Sequence, residues 1–229
     1  MPTSTPLSPT RRSTPRRESD RAQSDRAALL AVLDASLICH LAVVVDEVPL
    51  ALPTVFGVDL DGPDQDGTVY LHGSVASRSL VAGPAQEISV TWTVLDGIVL
   101  ARSAFHHSMN YRSAVAIGRP RVVTDPDEKA RALDLVVDHV VPGRSAALRE
   151  HTRKELAATV VLALPLHEAS VKQRTGGPND DAPDVASGEV WAGELPLRLV
   201  AAPPSPAEDL SPADRETPEH VVRRLADFR

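Results

Sequence analysis

The stretch Ile88-Ser89-Val90-Thr91-Trp92-Thr93-Val94-Leu95-Asp96-Gly97-Ile98-Val99-Leu100 carries the clearest structural signal in the chain. Ile88, Val90, Trp92 and Val94 alternate with Ser89, Thr91 and Thr93, the period of two that sends one face of a strand into a core. Asp96-Gly97 supplies the positive φ angles of a two-residue turn, so the run predicts a β-hairpin returning through Ile98-Val99-Leu100. Upstream, Leu37 to Val45, Leu50 to Val58 and Thr68 to Leu71 read as consecutive antiparallel strands, separated by Asp46-Glu47 and by the loop Asp61-Gly62-Pro63-Asp64-Gln65-Asp66-Gly67. Before them, Asp25 to Asp34 lacks Gly and Pro and places Leu29, Leu30 and Leu33 on one helical face. Downstream, Arg112 to Val123 is a further strand. Asp125-Pro126-Asp127-Glu128 then joins an N-cap, a proline at the first helical position and an acid at the third, so a helix follows. Leu133, Val136, Val137, Val140 and Val141 form its apolar stripe, and Pro142-Gly143 ends it. Glu150 to Ala157 predicts another helical turn or two, and Thr159 to Leu166 a last strand. About six mostly antiparallel strands with inserted helices, and no βαβ alternation, define an α+β barrel rather than a parallel nucleotide-binding sheet.

The 229 residues, 42% hydrophobic, suffice for one sizeable core and not for two large domains. The expected division is a disordered, Arg- and Ser-rich lead over 1–24, a folded domain over 25–200, and a Pro-rich, mostly mobile tail over 201–229 with a short helix after Pro218. A net charge of −7 with 3% aromatic residues argues against nucleic acid, which calls for a basic face or a basic and aromatic stacking surface. No apolar run approaches the ~20 residues of a membrane span. The single cysteine, Cys39, excludes an intrachain disulfide and a Cys-based zinc site, so an intracellular, cytoplasmic protein is expected.

Two segments concentrate chemistry. Tyr70-Leu71-His72-Gly73-Ser74-Val75-Ala76-Ser77-Arg78-Ser79 ends a strand and opens a helix. Free helix amides, the hydroxyls of Ser74, Ser77 and Ser79 and the Arg78 guanidinium would make a phosphate pocket. A Ser-capped helix with a solvated arginine is the competing reading. Ser103-Ala104-Phe105-His106-His107-Ser108-Met109-Asn110-Tyr111-Arg112-Ser113 is dense in polar groups, which must bond to one another, to a partner chain or to a ligand. A metal is not expected there, because His106 and His107 point to opposite faces of a strand and no carboxylate is near in sequence.

These residues resemble the pyridoxamine 5'-phosphate oxidase-like flavoproteins with the FMN-binding split barrel, and most closely the branch that includes nitroimidazole-resistance proteins. The carrying segments are Tyr70 to Ser74, Leu95 to Ser113, Val141-Pro142-Gly143-Arg144, Glu168 to Gly176, and Val190-Trp191-Ala192-Gly193-Glu194-Leu195-Pro196-Leu197. The resemblance implies a six-stranded split β-barrel and FMN in a groove at a homodimer interface, with both chains contributing. Leu52, Pro53, Thr54 and Val55 would offer backbone groups to the isoalloxazine edge, and Ser77, Arg78 and Ser79 would hold the phosphate. Leu71, His72, Gly73, Ser74, Asn110, Tyr111, Arg112 and Trp191 complete the implied cofactor set, with His72 as the one catalytic candidate. Ser79 stands where the oxidases usually have lysine, and their residues for pyridoxal phosphate are not recognisable. The implied activity is therefore an FMN-dependent oxidoreductase acting on another small molecule. The alternative is a flavin-, F420- or haem-binding module without turnover, in which His72 or His106 would serve an iron.

Overall fold

Ile88–Leu100 forms one strand of 13 residues and not a hairpin. The computed structural model describes residues 6–8, 10–211 and 216–228. Its elements are β1 (Ala22–Gln23), α1 (Arg26–Ala35), β2 (Cys39–Val45), β3 (Val48–Thr54), β4 (Phe56–Asp59), β5 (Thr68–Ser74), α2 (Arg78–Ala82), β6 (Ile88–Leu100), β7 (Ser108–Gly118), β8 (Arg121–Val122), α3 (Pro126–Val140), α4 (Arg153–Ala158), β9 (Thr159–Pro165), β10 (Ala169–Arg174), α5 (Ala182–Ser187), β11 (Gly193–Pro196) and α6 (Glu219–Ala226). They make two antiparallel sheets, one in the order β1-β10-β7-β6-β2-β3 with β11 also on β6, the other in the order β4-β5-β9-β8. This is the α+β split-barrel architecture.

Asp96-Gly97 is a bulge inside β6. The register with β7 shifts between Leu95 and Gly97 and then continues as Gly97↔Asn110 and Ile98↔Met109. A full partner strand on both sides of the Asp-Gly pair overrides its turn preference, and the reversal falls at 101–107 instead. Leu50 to Val58 also divides. The chain leaves the first sheet after Thr54 and enters the second at Phe56, so Val55 marks the split. Arg112 to Val123 divides likewise at Arg119-Pro120, with β8 joining the second sheet through β9.

The helices follow their caps. Asp25 accepts from the Ala27 amide, and Asp125 accepts from the Glu128 amide with Pro126 at the first turn. In α1 the buried set is Leu29, Val32 and Leu33, with Leu30 only half-buried. In α3 the buried residues are Ala132 and Val136, while Leu133, Val137, Val140 and Val141 are half-buried. The expected stripe is shifted because α3 lies on β4, where the strand has a glycine rather than a side chain. Gly57 lets the α3 backbone approach so closely that an added Cβ would lie 2.9 Å from the Val136 amide nitrogen.

Polar pairs pin α3 and the Asp-rich loop to the second sheet. Tyr70, fully buried, donates to Glu128 at 2.9 Å, and burial with this carboxylate pushes its pKa up to about 12. Arg121 bridges Asp64 and Glu128, Arg131 pairs with Asp59, and Asp66 holds Arg26 and His167. Asp64 and Asp66 of the loop thus face cations of the chain, and among the described residues no group of three or more His, Cys, Asp or Glu could hold a metal.

The segments at either end touch the domain. Leu7 is buried, Arg12 pairs with Glu87 and Glu168, and β1 pairs with β10, whereas residues 1–5 and 9 of the expected lead lie outside the described residues. After Pro218 a helix forms as expected. Its Arg224 Nε donates to the Val140 carbonyl at 2.8 Å, capping α3, and its guanidinium lies 4.6 Å from the Phe228 ring.

Gly57→Ala should force α3 off β4, because both colliding groups include backbone that cannot rotate away. A loss of about 1–3 kcal/mol in unfolding free energy is expected for such overpacking, measured by urea titration. An unchanged midpoint would mean that α3 does not seat on Gly57.

Candidate functional site

The division at Val55 creates the first part of the site. β4 pairs with β5 only as far as Phe56↔Leu71, while β9 continues along β5 through His72↔Val161 and Gly73↔Val160 to Ser74↔Thr159. His72, Gly73 and Ser74 therefore run past the end of β4, next to the point where the chain crosses from β3. β3 is the terminal strand of its sheet, so one of its edges carries backbone groups not paired in the ladder. Leu52, Thr54 and Val55 are half-buried there, and Pro53 is exposed and has no N–H to offer. α2 begins four residues after Ser74, at Arg78, with Ser77 as its N-cap. Val55 thus follows the strand end beside His72, Gly73 and Ser74, and Ser77 to Ser79 follow them along the chain, with Arg78 reaching the β2–β3 turn at the other end of β3.

Local packing fixes this group. Gly73 faces Leu80 of α2, whose Cδ1 would stand 2.7 Å from an added Cβ. Ser77 is the N-cap of α2 without a side-chain cap bond, and its hydroxyl instead meets that of Ser79 at 3.1 Å. Arg78 is exposed and pairs with Asp46, in the positive-φ turn between β2 and β3. His72 is half-buried, its Nδ1 has no hydrogen-bond partner among the described residues, and desolvation lowers its pKa, so the imidazole is neutral near pH 7. A buried ring nitrogen without a partner is a position where a bound group is expected to complete the bonding.

Asn110 and Trp191 lie on the far part of the β6–β7 ribbon, while Arg112 pairs with Val94, three residues beyond Thr91, and Tyr111 lies between. β2 pairs with β6 at Ser89 to Thr91, whereas Asn110 pairs with Gly97, six residues farther along β6. At ~3.3 Å per residue that is roughly 20 Å along the strand. Asn110 is buried, donates to Glu194 at 2.6 Å and accepts from Arg174 at 2.5 Å. Arg112 makes a two-pronged pair with Asp96 at 2.8 and 3.0 Å, and Tyr111 is half-buried beside it. Trp191 is 70% exposed, with its ring over Gly193, where a Cβ would come within 2.9 Å of ring carbons. The polar segment between β6 and β7 is bonded internally and to 180–181, through His107 with the Ser103 carbonyl and His106 with Asp181.

Between the two parts, β6 has an uncovered edge. β2 ends its pairing at Thr91 and β11 begins at Gly97, and a cleft of about 880 Å³ opens there, bounded by Leu37, Ile38, Leu95, Leu199 and Phe228 with Arg112 and Arg198. Its volume is that of a ligand pocket. Sequence reasoning missed the residues that build this end: Arg102, Arg174, Asp180 and Glu194. Their partners lie 64 to 84 positions away, a separation that no local pattern reports.

The split barrel defines a class, and the comparisons place the chain within it. The model of the pyridoxamine 5'-phosphate oxidase family matches residues 25–173, and the chain belongs to that family in its broad, oxidase-like sense. Among solved structures, the flavocytochrome Anf3 of Azotobacter vinelandii is 37% identical, with 98% of this chain and 99% of that chain covered at a TM-score of 0.86. The FAD- and haem-binding protein of Mycobacterium smegmatis is also 37% identical, with 89% and 97% covered at a TM-score of 0.80. A candidate 5-nitroimidazole resistance protein of Bacteroides thetaiotaomicron shares the fold at 20% identity, with 66% and 85% covered and a TM-score of 0.54. None of the curated proteins matches.

His72 and His139 should both make stability fall with acid. Burial lowers each pKa from 6.5, so the unfolded chain binds more protons as the pH drops below about 6.5. Stability is complete above that value and is lost progressively down to the folded pKa values. Denaturant midpoints from pH 7.5 to 5.5 should decline, and His72→Asn should make the decline shallower, leaving the part due to His139. An identical slope in the variant would place His72 in solvent.

Proposed function

We propose that the protein binds a flavin nucleotide at the split and works as a flavin-dependent oxidoreductase on a small molecule. The observation that carries this is 37% identity, over nearly the whole chain, to a flavocytochrome, joined to a site whose free strand edge and unpartnered His72 Nδ1 suit a polar ring. The family at large suggests FMN. We put FAD ahead of it, because the Mycobacterium smegmatis protein named for FAD also shares the segment after residue 173, beyond the family match. Bound flavin would supply hydride or electron transfer, leaving positioning and exclusion of competing reactions to the chain. Leu52, Thr54 and Val55 would hold the ring edge through their backbone, and Ser77, Arg78 and Ser79 would take a phosphate. His72, neutral, would hydrogen-bond the cofactor or hold a proton for the substrate.

The place of Asn110 and Trp191 on the far part of the β6–β7 ribbon, away from the stretch of β6 that β2 covers, supports a homodimer in which each site takes one part from each copy. Exposed Val48, Leu50, Leu95, Phe105 and Leu195 supply apolar surface for such an interface. A second reading, haem beside the flavin, is favoured by the names of both 37%-identical relatives. A single neutral imidazole is sufficient protein ligation for haem iron, and His72 has that form.

The purified protein should show flavin absorption bands, release FAD on denaturation, and scatter light as two chains; absence of any flavin would contradict the proposal. Arg78→Ala should weaken FAD binding by roughly ten- to a hundred-fold, since a charge-assisted phosphate bond is worth about 1.5–3 kcal/mol. Riboflavin, which lacks the phosphate, should bind variant and parent alike. Equal FAD affinities would leave Arg78 only its pair with Asp46. A haem band lost in His72→Ala would establish the second reading.

A further inference from the structure

We infer that Asp180 is a positioning residue, which through Arg102 clamps the segment between β10 and β11 so that Trp191 is presented from a fixed place on the β6–β7 ribbon. This rests on the proposal that Trp191 contacts the flavin. The Asp180 side chain is 2% exposed although it sits in a loop, and it accepts twice from one residue, from the Arg102 amide at 2.8 Å and from its guanidinium at 2.7 Å. Arg102 lies two residues beyond the end of β6, so the clamp joins the loop to the end of the longest strand.

The segment is held at both ends as well. Arg174 donates to the carbonyls of Gly176 and Gly177 at 2.9 and 2.8 Å and to Asn110, and Glu194 accepts from the same Asn110. Between these anchors, residues 181–192 bury no side chain, and α5 has none in the core. A segment with so little apolar burial takes its order from its polar ties. Asp180 is the tie with a buried side chain on this span, and removing it would leave Trp191 on a span held at 177 and 193 and by the exposed Asp181. His106 and Asp181, 3.3 Å apart, sit at the rim and add a weaker, partly exposed contact.

The full-length protein labelled with 5-fluorotryptophan gives two ¹⁹F resonances, from Trp92 in the core and from Trp191, the latter assigned by its loss in Trp191→Phe. Asp180→Ala should shift and narrow the Trp191 resonance and leave that of Trp92 in place, with Asp180→Asn intermediate because it keeps an acceptor for the Arg102 amide. FAD affinity should fall several-fold in Asp180→Ala and in Trp191→Ala, and the double variant should lose less than the product of the two. An unmoved Trp191 resonance in Asp180→Ala overturns the clamp, as do losses that multiply. If Trp191→Ala binds FAD like the parent, the flavin contact of Trp191 fails, while the resonance still decides the clamp.

Discussion

The pairing of β6 governs this structure. One edge of the strand is taken by β7 along nearly its whole length, while the other is shared, with β2 at Ser89 to Thr91 and β11 at Gly97 to Leu100. Because β2 covers only one end, the β6–β7 ribbon runs past the rest of the sheet, and its distal half needs β11 as a partner. That requirement brings the chain after β10 back across the molecule and sets Trp191 and Glu194 beside Asn110. The bulge at Leu95/Gly97 sits in the uncovered interval, where it changes the register as one partner gives way to the next.

The second constraint is the crossing at Val55. A strand that leaves one sheet for the other exposes the end of β5, and His72 and Ser74 lie on that end. The core supports the crossing: Phe56 is fully buried, packs edge-on to Trp92 at 5.6 Å, and lies 4.1 Å from the His139 ring, which bonds to the Ser36 carbonyl at 2.7 Å. Cys39, alongside, is a packing residue, its thiol pushed up to about 12 by burial and so unreactive near neutral pH.

Elements governed by neighbouring residues were legible in the sequence. The N-caps Asp25 and Asp125, the stop at Pro142-Gly143 and the helix after Pro218 are local chemistry, and the alternation in Ile88 to Val94 reports burial directly. What failed was local preference opposed by long-range pairing. Asp96-Gly97 has the composition of a turn but lies between paired strands, and the unbroken apolar run from Leu50 to Val58 cannot show that its two halves serve different sheets. The first part of the candidate site was readable because Tyr70 to Ser79 is contiguous. The ties of Asn110 to Arg174 and Glu194, and of Arg102 to Asp180, were not, since each depends on β10 and β11 returning to β6.

The central claim is that one functional site is assembled from the crossing of one chain and the distal ribbon of another. Mixing two variants tests it most directly, one with His72 and Arg78 changed to alanine, the other with Asn110 and Trp191 changed to alanine. Each alone should retain little flavin. In the mixed dimer one site carries all four changes and the other none, so flavin should return to about one per mixed dimer. A mixture that binds no more flavin than its separate parents, once subunit exchange is shown, would contradict the account.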